Sequence, residues 1–130
     1  MAERIAPALE AGTAVVCDRF ALSTLAYRGY GLGLDLEAIR GANALAIGET
    51  RPDLTIVIDI PPSEGLARRG GAGDRIELRG LDYLGLVRDG FRVEAARDDR
   101  ALILDGDRPP AEVTVDVRAA VTELLDGAAA

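Results

Sequence analysis

Two kinds of apolar pattern alternate along the chain. Thr13–Cys17 (TAVVC), Leu54–Ile60 (LTIVIDI) and Ala101–Leu104 (ALIL) are short runs, rich in β-branched residues and almost free of polar interruption. Such runs predict strands of a parallel sheet, buried on both faces. Leu54–Ile60 is the clearest, with Arg51-Pro52-Asp53 before it and Pro61-Pro62 closing it. Between them the apolar positions recur at helical spacing. Ala2–Ala11 reads as the tail of a helix stopped by Gly12, and it opens without a capping residue. Leu22–Arg28 is helical in character, and Gly29, Gly31 and Gly33 then predict a flexible turn. Asp35–Ile47 is amphipathic, with Asp35 as its N-cap and Gly48 as its stop. Ser63–Arg69, Arg75–Arg97 and Pro110–Leu125 complete the helices, and Gly127–Ala130 reads as a frayed tail. The glycines at 70, 71 and 73 predict a mobile loop. Strands alternating with helices predict one α/β domain over residues 1–130, a parallel sheet flanked by helices.

Composition narrows the chemistry. The 130 residues carry a net charge of −7, which argues against a nucleic-acid surface, since that needs clustered cations. All 15 basic residues are arginine, and lysine and histidine are absent. There is thus no imidazole base and no histidine-ligated metal. A single cysteine, Cys17, excludes an internal disulfide and a cysteine-rich zinc site. With 48% hydrophobic residues and a mean hydropathy of +0.11, the chain suits a folded domain. No apolar run is long enough to cross a membrane and no signal peptide is seen, so a cytoplasmic protein is expected.

The candidate chemistry gathers at Asp18-Arg19, just beyond the first apolar run. In open α/β sheets ligands bind outside the carboxyl ends of strands. An aspartate there can hold Mg²⁺ directly or through water. A neighbouring arginine can grip a phosphate with its two-pronged guanidinium. The same dipeptide also occurs as an ordinary surface pair, and the residues after it shift the balance.

Asp18-Arg19-Phe20-Ala21-Leu22-Ser23-Thr24-Leu25-Ala26-Tyr27 closely resembles the acceptor-site stretch of thymidylate kinases. The likeness extends through Gly31–Leu36, Arg51–Thr55 with Asp59–Pro62, Asp74–Glu77, and Tyr83 with Val87-Arg88 and Gly90-Phe91. It covers about residues 2–125, and its motifs are specific as a set. The resemblance implies a partial P-loop kinase fold, three strands of the parallel sheet being retained. It implies a kinase that passes phosphate from ATP, with Mg²⁺, to dTMP. Arg19 would grip the dTMP phosphate, Asp18 would act in the magnesium region, and Ser23, Thr24, Tyr27 and Arg28 would line the acceptor site. Arg68, Arg69 and Arg75 bracket the glycine-rich loop and would stabilise charge on the transferring group, where electrostatics carry much of the catalysis. The resemblance leaves room for a homodimer.

Two departures bear on function. Arg28 stands where the family often has Gln, on the thymidine side, which keeps open a kinase for another monophosphate. A P-loop of the form G-x-x-x-x-G-K-[ST] is absent from these residues, which contain no lysine. In the family that loop and the first strand precede everything seen here, and that strand lies between the third and fourth. The chain is therefore expected to be a C-terminal portion, inactive alone. A non-catalytic module that binds a nucleotide or a partner is the alternative.

Overall fold

The computed structural model describes residues 2–69 and 74–129, with side chains left out of account at 2, 74–79, 128 and 129. Helix α1 (Ala2–Glu10) is followed by an irregular segment, then by α2 (Ala21–Thr24), which runs on as a π-helix over Leu25–Gly31. Helix α3 spans Leu36–Ile47, β1 Thr55–Asp59 and α4 Pro62–Arg68. Helix α5 spans Asp74–Ala96, β2 Ala101–Asp105 and α6 Pro110–Ala129. None of the described helices is long and apolar enough to cross a membrane.

Strands β1 and β2 pair in parallel, Thr55 opposite Ala101 through Asp59 opposite Asp105. Parallel neighbours need a long crossover, and here α4 and α5 supply it. Val57 on β1, Val87 and Ala95 on α5 and Val113 on α6 are buried in the core. A bidentate ion pair ties α5 to the sheet: Arg88 Nε and Nη2 donate to Asp59 Oδ1 and Oδ2 at 2.8 and 3.1 Å. The guanidinium holds the Asp59 carboxyl below its usual range, against the opposing effect of burial.

Four expectations need correction. Thr13–Cys17 carries no regular structure and forms no strand, because a ladder requires a neighbour and the sheet of the described residues contains only β1 and β2. Its apolar side chains are correspondingly uncovered, with Val16 98% exposed. Burial on both faces of β1 also fails, since Ile58 remains half-exposed. The glycines at 29 and 31 lie inside the π-helix and not in a turn. They are there for closeness: a Cβ on Gly29 would strike Leu36 Cδ2, and one on Gly31 would come within 2.6 Å of the Tyr83 ring. The C-terminal tail differs as well, helix α6 continuing as far as Ala129.

Candidate functional site

The site begins with a backbone constraint. Arg19 has φ +65°, the one non-glycine residue at positive φ among those described. An arginine there costs about 1–3 kcal/mol unless its surroundings hold it. Cys17 contributes by donating its thiol to the Arg19 carbonyl at 3.3 Å. The turn leaves Phe20 extended at the start of α2 and sends the Arg19 side chain over the ring of Tyr27, 5.0 Å from its centroid. This is cation–π geometry.

Tyr27 is also held by side chains of α5. Phe91 meets it edge-on, with ring centroids 5.9 Å apart and planes at 86°. Tyr83 lies tilted at 6.4 Å. Leu25 and Ala26 are buried beneath the same turn, and so the π-helix is anchored along its core side while Tyr27 and Arg28 face the cleft. Ser23 is buried, yet it lines the same space.

The result is a cavity of about 430 Å³. Arg19, Ser23, Thr24, Tyr27 and Arg28, the five residues expected to bind the acceptor, all line it. Ile5 from α1, Phe20, and Ala46 and Ile47 from α3 add apolar wall, with Thr50 beyond. Asn43 on α3 was not anticipated. It lines the cavity and donates its amide to the Ala21 carbonyl at 3.2 Å, pinning the start of α2. The signal for it was one amide in the otherwise small and apolar run Gly41–Ile47.

The other candidates lie elsewhere. Asp18 precedes Arg19 on an exposed bend and does not line the cavity. Arg68 is engaged across the sheet, donating to the carbonyls of Gly106 at 2.9 Å and Arg108 at 3.2 Å, with Glu64 and Asp107 nearby. Arg69 is exposed at the end of α4. The side chain of Arg75 and the loop at 70–73 fall outside the described residues.

A chain built of parallel strands and flanking helices, with its cavity at the turn ahead of α2, has the layout of a partial P-loop kinase fold. The family model for thymidylate kinase matches residues 1–117. This chain belongs to the thymidylate kinase family. It is 43% identical over 133 residues to the thymidylate kinase of Desulfovibrio desulfuricans, covering 95% of this chain and 61% of that protein. A Synechococcus thymidylate kinase is 51% identical over 110 residues, covering 84% and 53%. That of Pseudomonas fluorescens is 43% identical over 131 residues, covering 98% and 62%. The chain thus spans between about half and three-fifths of the length of these relatives.

Proposed function

We propose that this chain supplies the acceptor half of a thymidylate kinase, binding dTMP for phosphorylation by ATP. The observation that carries this reading is the meeting of Arg19, Ser23, Thr24, Tyr27 and Arg28 around one cavity. Each has chemistry suited to a nucleoside monophosphate. Arg19 offers a bidentate grip on phosphate oxygens. Tyr27 offers an aromatic edge and a polar tip to the sugar and base. The hydroxyls of Ser23 and Thr24 can donate or accept, Thr24 toward the base. Arg28, at the exposed rim, adds a second positive charge.

The protein's part in phosphoryl transfer is chiefly positioning and charge stabilisation. Arg19 would fix the acceptor phosphate, while Arg68, Arg69 and Arg75 would approach the transferring group once nucleotide is bound. For Arg68 this requires release of the Gly106 and Arg108 carbonyls it now holds. Asp18 would contribute the carboxylate of a Mg²⁺ site in which one or two carboxylates share the ion with phosphates and water. When bound, Mg²⁺ would neutralise phosphate charge. The reading places the protein in the cytoplasm with its nucleotide substrates, and it is compatible with a homodimer.

Without lysine, these 130 residues cannot supply the P-loop contact to the β- and γ-phosphates. Phosphoryl transfer is therefore expected only when such a segment is provided. The test is an ADP-release assay with ATP, Mg²⁺ and dTMP, comparing the 130 residues with the same residues fused behind a relative's P-loop segment. Turnover in the fusion alone supports the reading. Turnover near about 1–100 s⁻¹ by the 130 residues alone would overturn it, as would a fusion that binds ATP but leaves dTMP unphosphorylated.

A further inference from the structure

Behind the cavity, on the far side of the π-helix, sits a buried carboxylate with no part in the proposed chemistry. Glu94 of α5 has a side chain only 9% exposed. Its Oε1 accepts from the Tyr30 hydroxyl at 2.7 Å and from Arg40 Nη2 at 2.6 Å. Arg97, one turn on, lies 3.5 Å from the same oxygen. Three elements meet there: Tyr30 belongs to the π-helix, Arg40 to α3 and Glu94 to α5.

The π-helix explains why that junction matters for the cavity. A π turn holds more residues than an α turn and is the less favoured form, commonly found at functional sites. Its register shows at its end, where the Leu32 N–H reaches back five residues to the Tyr27 carbonyl at 3.1 Å. Relaxation to α geometry would rotate one end of the segment against the other by about 100° per residue of register. Tyr27 and Tyr30 could then not both keep their places.

One face of α5 is shaped for both. Tyr83 and Phe91 hold the Tyr27 ring. Gly90 makes room for the Tyr30 ring, since a Cβ there would lie 2.6 Å from Tyr30 Cγ. Glu94, four residues further, takes the Tyr30 hydroxyl. Tyr83, Val87, Gly90 and Glu94 recur at four, three and four residues, so they form one continuous stripe along the helix.

We propose that Glu94 is a positioning residue for the monophosphate site: through the Tyr30 hydroxyl it fixes the π register of Leu25–Gly31, and with it the aim of Tyr27 and Arg28 into the cavity. The proposal rests on the reading of that cavity as a monophosphate site. Arg40 has a different task, neutralising the buried carboxylate. Positioning and stability are thus carried by separate partners of one oxygen.

That separation gives the test. Tyr30→Phe keeps the ring in the Gly90 slot and removes only the hydroxyl. Glu94→Gln keeps an oxygen for Tyr30 and removes the charge that Arg40 needs. Glu94→Leu removes both. Thermal melting, amide hydrogen exchange at Leu32 and dTMP affinity by calorimetry are measured for each variant and the parent chain. The expected order of stability puts Tyr30→Phe nearest the parent, with both Glu94 variants well below. Affinity and Leu32 protection should follow another order. Glu94→Gln stays within about twofold of the parent, while Tyr30→Phe and Glu94→Leu lose about tenfold, the loss of one hydrogen bond to a charged group. If affinity and exchange merely follow melting temperature, with Glu94→Gln worse than Tyr30→Phe, Glu94 is structural and the proposal falls. Should Glu94→Leu not fold, the comparison of Glu94→Gln with Tyr30→Phe still decides. A parent chain that binds no dTMP, but whose variants show the expected exchange order, would overturn the ligand assignment and leave the control of register by Glu94 in place.

Discussion

The guanidinium of Arg19 lies 5.0 Å over the ring of Tyr27, although seven residues of bend and helix separate the two along the chain. The contact joins the residue that would hold a phosphate to one that would flank a sugar and base, and it depends on the positive φ of Arg19. On the proposed reading, the strain at Arg19 trades stability for geometry.

That trade is measurable. At φ +65° glycine is tolerated and alanine is not, so Arg19→Gly should be about 1 kcal/mol more stable than Arg19→Ala. Both should bind dTMP more weakly than the parent, by about 2–5 kcal/mol, the cost of removing one member of a desolvated charge pair. Urea unfolding and calorimetry on the two variants check the two halves separately.

Packing at the back of the π-helix should be equally sensitive. Gly90→Ala places a methyl 2.6 Å from Tyr30 Cγ, too close for any real contact, and neither helix can retreat without disturbing the Tyr27 cluster. A loss of about 1–3 kcal/mol is expected, seen as a lower urea midpoint with an unchanged slope. The partly exposed Gly85 on the same helix has open space where a Cβ would go. Gly85→Ala should therefore stabilise the chain by about 0.5–1 kcal/mol.

The Asp59–Arg88 pair sets a pH dependence. Arg88 lowers the Asp59 pKa below its ordinary 3.8, so at acid pH the unfolded chain binds the proton more readily than the folded one. The stabilisation is complete above about pH 4 and is lost as pH falls through the depressed folded value. Asp59→Asn should accordingly cost about 1–3 kcal/mol at pH 7, and the gap to the parent should close in the acid range. Denaturation of both proteins from pH 7 down to pH 2 checks the sign. A gap that widens on acidification would contradict it.

How far the fold could be read from the sequence depended on how local each determinant is. Helix α3 was legible because its signals are local: Asp35 accepts from the Glu37 N–H at 3.1 Å, and Gly48 takes φ +59° at the other end. Strands β1 and β2 were legible from their apolar runs. Thr13–Cys17 shows the limit of that signal, since apolar β-branched residues make a strand only where a neighbour pairs with them. Gly29 and Gly31 were misread for a related reason. Glycine usually breaks a helix, but here Leu36, Tyr83 and Val87 press so closely that only glycine fits. Within the site, the stretch from Arg19 to Arg28 was legible as one contiguous motif. Asn43 was missed, as were the roles of Tyr30 and Glu94, because their partners lie 22 and 64 residues away. No periodicity records such pairings.

Whether this cavity holds a nucleoside monophosphate is decided by a calorimetric titration of the 130-residue chain with dTMP, run beside thymidine and beside the Arg19→Ala variant. Saturable, one-to-one binding of dTMP is expected in the millimolar range or tighter, about −4 kcal/mol or more favourable. Thymidine should bind distinctly more weakly, because it lacks the phosphate that Arg19 would hold, and Arg19→Ala should abolish the difference between the two ligands. Equal affinity for dTMP and thymidine in the parent chain, or a preference for dTMP that survives in Arg19→Ala, would contradict the assignment of this cavity.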